Sequence, residues 1–138
     1  MSVLKKYSDQ PASLDDLSST VVDCVFKVHQ KLGAGYLESI YEDCLFIELS
    51  KRELNVKRQY DIKFEYDGVV IPTTFKLDMV VEDQIIIELK AVDKMIPVYD
   101  AQIYSYLKAS GLPLGFLINF NVPLIKEGIK RFVPKKTS

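Results

Sequence analysis

The sequence predicts an α/β protein in which helices flank a mixed β-sheet. Two observations carry this. Apolar residues recur at helical spacing in three segments, and period-two or continuous apolar runs fill the segments between them. One helical segment also separates two strand-like runs, which forces a crossover and therefore a parallel pair inside an otherwise hairpin-built sheet.

Ser13 is a good N-cap, with Asp15 and Asp16 in the first turn where the helix dipole favours acids. From there Leu17, Val21, Cys24, Val25, Val28 and Leu32 form one stripe, which stops at Gly33-Ala34-Gly35. A second helix over 37–52 carries Ile40, Tyr41, Cys44, Leu45 and Leu49 as its apolar stripe. Strands follow over 56–66 and 69–81, joined at Asp67-Gly68, a strong hairpin signal. Pro72 cannot donate to a ladder and marks an irregularity or an edge in the second. A strand over 85–89 is followed by a helix over 98–109, introduced by Pro97 and ended by Gly111. The run 114–120 is a short buried strand, and 129–133 is a final one. Residues 1–12 read as an N-terminal arm, 13–133 as a single domain and 134–138 as a polar tail.

At 138 residues, 48 % hydrophobic and 27 % charged, the chain can bury a core without disulfides or metals as staples. Its formal net charge of −1 excludes attraction to nucleic acid by bulk charge, so a polyanion would have to meet a local patch. Two basic groups are candidates for a phosphate-contacting rim: Lys51, Arg52, Lys57 and Arg58, and then Lys126, Lys130, Arg131, Lys135 and Lys136. Cys24 and Cys44 lack CxxC or CxxH context and read as reduced, buried thiols. No stretch has the length and apolarity of an export or membrane signal, so the expected setting is cytoplasmic, with no membrane partner. The aromatic residues are expected in scattered core positions. The sequence leaves the oligomeric state open, a homodimer included.

Parity along the strands singles out three polar residues. Phe75, Leu77, Met79 and Val81 alternate onto one face, leaving Asp78 on the other. Ile85, Ile87 and Leu89 share a face, leaving Glu88 and Lys90 together opposite. If Glu82-Asp83-Gln84 is the turn, Val81 pairs with Ile85 and Asp78 falls opposite Glu88, their β-carbons about 4.5–5.5 Å apart. Carboxylates that close repel unless a proton or cation lies between them. Their oxygens suit a hard divalent ion such as Mg²⁺ or Mn²⁺, and Lys90 projects into the same site. A solvated polar hairpin face would show the same alternation, but the apolar run Ile85-Ile86-Ile87 indicates a strand covered on both faces.

Asp78, followed after nine residues by Glu88-x-Lys90, resembles the signature of the PD-(D/E)XK nuclease superfamily, with Leu77 where the superfamily name has proline. Gly35-Tyr36-Leu37-Glu38-Ser39-Ile40-Tyr41 is similar to the motif of the GxxExxY family within it. The resemblance runs from about Val22 to Val133 and implies a restriction-endonuclease-like core. It also implies a Mg²⁺- or Mn²⁺-dependent nuclease acting on DNA or RNA. Asp78, Glu88, the Leu89 carbonyl and Glu38 would hold the metal, and Lys90 would act in the chemistry. By its residues alone Glu38 is an acid favoured by the helix dipole; the resemblance makes it a third carboxylate. Gln102 and Tyr106, i and i+4 on one helix face, resemble the Q-x-x-x-Y element of RecB-like branches, which borders the active site. His29, the one histidine, is expected to be a hydrogen-bonded core residue. The alternative function is a binding or regulatory module on a nuclease fold that does not cleave.

Overall fold

The computed structural model describes residues 13–136; the N-terminal arm and residues 137–138 lie outside them. Its elements are α1 (Leu14–Leu32), α2 (Glu38–Lys51), β1 (Val56–Tyr66), β2 (Val69–Val81), β3 (Ile85–Lys90), α3 (Pro97–Ser110), β4 (Leu114–Asn119) and β5 (Ile129–Phe132). A 3-10 turn, Ile125–Gly128, leads into β5 and has no clear signal in the sequence. Ser13 caps α1 by accepting from the Asp16 N–H, and Gly33, at φ 69, ends it.

The strands lie in chain order, β1-β2-β3-β4-β5. β1, β2 and β3 form an antiparallel meander, β3 and β4 are parallel across α3, and β5 returns antiparallel to β4. The sheet is therefore mixed and has helices on both faces. One face packs Met79, Val81, Ile85, Ile87, Leu89, Phe116 and Ile118 against α1 and α2. The other packs Ile62, Leu77, Val80, Ile86 and Leu117 against Ile103 and Leu107 of α3.

Several expectations change at the level of side chains. Cys44, expected to be buried like Cys24, is only half-buried. Ile40 is 39 % exposed, while Glu48, one turn from Leu45, is buried and accepts from Lys31 at 2.9 Å. The aromatic residues are not confined to the core, because Tyr36, Tyr60, Phe64 and Tyr66 are all exposed. Leu77 does not share a face with Met79 and Val81; it joins the α3 side. This last change has a local cause. Gln59, opposite that point on β1, has φ 48, a left-handed conformation unusual for a non-glycine residue. Val56, before it, packs toward α1 and α2, whereas Ile62, after it, packs toward α3. Both strands thus change face at Gln59 and Asp78. Pro72 lies in a bulge, where the β1–β2 register shifts between Lys63 and Glu65, so its missing N–H costs no ladder bond.

His29 is hydrogen-bonded as expected, its Nε2 lying 2.8 Å from the Val122 carbonyl, but it is half-buried rather than a core residue. None of the helices among the described residues is long and apolar enough to cross a membrane.

Gly128 tests the packing of the 3-10 turn on β4. A β-carbon there would lie 2.1 Å from the Asn119 carbonyl oxygen, so backbone would have to move. Gly128→Ala is expected to lower unfolding stability by about 2 kcal/mol or more, read from the urea midpoint.

Candidate functional site

Val81 pairs with Ile85, Val80 with Ile86 and Met79 with Ile87, the register that places Asp78 opposite Glu88. The ladder ends at that last pair. Beyond it the side chains take over the backbone's role: the Asp78 N–H donates to Glu88 Oε1 at 3.0 Å, and the Leu89 N–H donates to Asp78 Oδ2 at 2.9 Å. Each carboxylate thus caps the strand that carries the other. The tight Glu82-Asp83 turn that sets this register uses two left-handed residues, φ 52 and 53. It is pinned by Asn55, whose carbonyl accepts from the Glu82 N–H at 2.8 Å.

Glu88 is 8 % exposed. Burial pushes its carboxyl up from the ordinary 4.5 to about 8, and the Asp78 charge adds to the rise; the donated Asp78 N–H and the Lys90 charge do not offset them. Around neutral pH the pair therefore holds a proton unless a cation replaces it. Two acids with that unmet demand fit a hard divalent ion.

Lys90 leaves β3 on the same face as Glu88, and its Nζ rests 4.2 Å from the centre of the Tyr99 ring. Its backbone is held as firmly. The Lys90 carbonyl accepts from the Phe120 N–H at 3.0 Å, and buried Asn119 clamps the next loop by accepting from the Val92 N–H and donating to the Val92 carbonyl. Tyr106, on the same face of α3 as Tyr99, stacks near Phe75, with ring centres 5.1 Å apart. Burial and the charges of Glu88 and Asp78 raise its phenol, which keeps the hydroxyl a proton donor. Gln102 shares this side of α3 but is solvent-exposed, and it makes no hydrogen bond among the described residues.

Glu38 opens α2, and partial burial, then the Asp78 charge, raise its carboxyl, while Lys90 pulls it down. The electrostatics of Glu38 thus belong to this site, although the residue is largely exposed. As the side chains stand, no three acidic, histidine or cysteine residues among the described ones converge closely enough to hold a metal.

The segment before Glu38 is fixed by Gly35 and Tyr41. Gly35 has φ 105, which a side chain would resist. The Tyr41 hydroxyl donates to the Gly33 carbonyl at 2.6 Å and accepts from the Tyr36 N–H at 3.2 Å, while its ring stacks on Phe120 at 4.5 Å. Tyr99 and Asn119 escaped sequence reasoning, whereas Tyr41 is the tyrosine of the GxxExxY-like motif and a member of the predicted apolar stripe. Of the first two, only Tyr99 had a signal, since it is i−3 and i−7 from Gln102 and Tyr106.

A family model of the PD-(D/E)XK nuclease superfamily matches residues 15–132. The chain belongs to that superfamily. Its α/β core with a mixed five-stranded sheet is the fold expected of a member. Searches of curated proteins and of solved structures returned no match.

The basic groups of this nuclease-superfamily protein divide unequally. Lys51, Arg52, Lys57 and Arg58 are all ion-paired, to Glu48, Asp23, Asp83, and Glu42 with Asp43. That group is a self-neutralised surface rather than a ready phosphate rim. In the second, Lys130 and Arg131 are paired with Asp100 and Asp15, and Lys135 lies over Tyr104.

Two outcomes test this geometry. Tyr41→Phe removes the anchor of two backbone groups and is expected to cost about 1–3 kcal/mol in chemical denaturation, whereas a purely hydrophobic role would leave stability unchanged. Glu88 makes metal-free stability pH-dependent. Its folded pKa lies above its unfolded one, so the folded state binds the extra proton, and stability falls as pH rises from about 4.5 to about 8. The loss is on the order of a few kcal/mol, and Glu88→Gln should flatten that part of the melting-temperature profile.

Proposed function

We propose that this chain is a Mg²⁺- or Mn²⁺-dependent phosphodiesterase that cleaves DNA or RNA, built as one nuclease-like domain over residues 13–133. The observation that carries the reading is the reciprocal pair: Asp78 and Glu88 converge where the β2–β3 ladder ends, with Lys90 on the same face. Membership in a nuclease superfamily supports it. Gly35, Glu38 and Tyr41 support the narrower assignment to the GxxExxY family, because each has a separate physical task in one loop–helix junction. Unpaired thiols at Cys24 and Cys44 suit a reducing, cytoplasmic setting.

Asp78 and Glu88 would hold the ion, with the Leu89 carbonyl and Glu38 as further ligands. A bound divalent ion supplies an activated water and neutralises charge at the phosphate. Lys90, steadied over Tyr99, presents a fixed positive charge to the attacking water or to the phosphate oxygens as charge builds on them. Gln102 is free to position Lys90 or a phosphate, and Tyr106 supports α3 beside the acids.

Titration calorimetry with Mn²⁺ is expected to show binding that Asp78→Ala and Glu88→Ala each abolish, and Glu38→Gln weakens. Lys90→Met should leave Mn²⁺ affinity unchanged or tighter, since a competing charge is gone, while cleavage falls roughly a hundredfold or more. Cleavage by that variant at the wild-type rate would remove Lys90 from the mechanism. Wild-type protein that binds nucleic acid but cleaves neither single- nor double-stranded DNA or RNA would identify a binding or regulatory module instead.

A further inference from the structure

β1 is an end strand of the sheet, and no described residue pairs with its outer edge. Such an edge presents a row of unpaired N–H and C=O groups, and natural proteins usually shorten, bend or cover it. Here it is long. Between the left-handed Gln59 and the register shift that follows Lys63, residues 60–63 of β1 keep regular pairing with β2, and Phe64 comes next. The side chains along it are large and apolar on the α3 side, where Tyr60 is 41 % and Phe64 38 % exposed around the buried Ile62. Clefts of about 440 and 640 Å³ open on that side between the hairpin and the end of α3.

The sequence of this edge, Tyr60-Asp61-Ile62-Lys63-Phe64, is complementary to itself about Ile62. An antiparallel strand paired with its own copy across a two-fold axis at Ile62 sets Asp61 opposite Lys63 and Lys63 opposite Asp61. It also sets Tyr60 opposite Phe64 twice. Opposite charges and aromatic pairs are the cross-strand combinations that stabilise antiparallel neighbours. The charges within the chain leave room for this. Asp61 is paired inward to Lys76 at 2.9 Å, but Lys63 faces Thr74 on β2 and makes no ion pair among the described residues. A row Lys76–Asp61–Lys63 would then alternate in sign across the junction. Because an antiparallel edge pair has its two-fold perpendicular to the sheet, both α3 helices lie on one face and the exposed rings of Tyr60 and Phe64 cover one another.

We propose that a second copy of this chain docks on the β1 edge, in antiparallel register centred on Ile62, to make a dimer with a continuous ten-strand sheet. This is an isologous contact, in which each half of the surface meets the other half. It rests on the β1 edge alone and not on any nuclease activity.

The test is a pair of charge reversals in the full-length chain, followed by sedimentation. Wild type should sediment at twice the chain mass. Asp61→Lys places lysines on both sides of each contact, and Lys63→Glu places acids there. Each variant alone is expected to dissociate, with a dissociation constant raised roughly tenfold or more. Mixed one to one, the two variants oppose unlike charges at both contacts and should restore the dimer. Only pairing between copies in this register predicts that restoration. A monomeric wild type, or variants that dissociate but do not recombine, would overturn the proposal. Circular dichroism checks that each variant folds. Should one fail to, amide hydrogen exchange of wild type substitutes for it: protection of residues 60–64 must increase with protein concentration, and concentration-independent exchange there is the contrary result.

Discussion

Two hydrogen bonds hold the centre of this molecule together: Asp78 N–H to Glu88 Oε1, and Leu89 N–H to Asp78 Oδ2. They lie where regular pairing between β2 and β3 gives out, and they replace the ladder with carboxylate oxygens. A backbone amide in a covered sheet must find an acceptor. Here the acceptors are acids, so a structural requirement brings two negative groups together. Burial then makes that pair unwilling to carry both charges, as the upward push on Glu88 shows. The demand for a proton or cation is thus a consequence of how the strands part.

β1 and β2 change face at the same point. Gln59 adopts its left-handed turn and is held by a hydrogen bond from its Nε2 to Glu42 Oε1 at 2.9 Å. Glu42 also accepts from Arg58 and sits one turn after Glu38 on α2. One acid on α2 therefore links the helix that bears Glu38 to the irregularity opposite Asp78. Strain of this kind is stored where the surrounding structure holds it in place, and functional sites are where it concentrates.

The elements around the site are fastened by polar groups inside the fold. Tyr41 ties the α1–α2 loop, and Asn119 ties the loop after Lys90. Neither group needs to touch a substrate. Each fixes a backbone segment whose neighbour bears a charged side chain, so positional precision at Glu38 and Lys90 rests on partly buried hydrogen bonds, which water weakens less than it would exposed ones.

Much of this was legible in the sequence. Periodicity and turn residues located the three α-helices and five strands of the described residues, and the limits of β1 and β2 needed no revision, because Asp67-Gly68 and the Glu82–Gln84 turn leave little freedom in length. Strand parity and that turn also placed Asp78 opposite Glu88, and Glu88 beside Lys90. Other features arise only from contacts distant in sequence. Alternation assigned Leu77 to the face of Met79, but the left-handed Gln59 on a neighbouring strand moved it to the other. Composition marked Lys51, Arg52, Lys57 and Arg58 as a basic patch, whereas Asp23, Glu42, Asp43 and Asp83 neutralise three of them from other elements and Glu48 meets Lys51 one turn away on α2. Local sequence determines which conformations a segment prefers and which side chains share its face. Which charge meets which, and where a strand must twist, is decided by packing against segments tens of residues away, because electrostatic and van der Waals energies depend on distance in space.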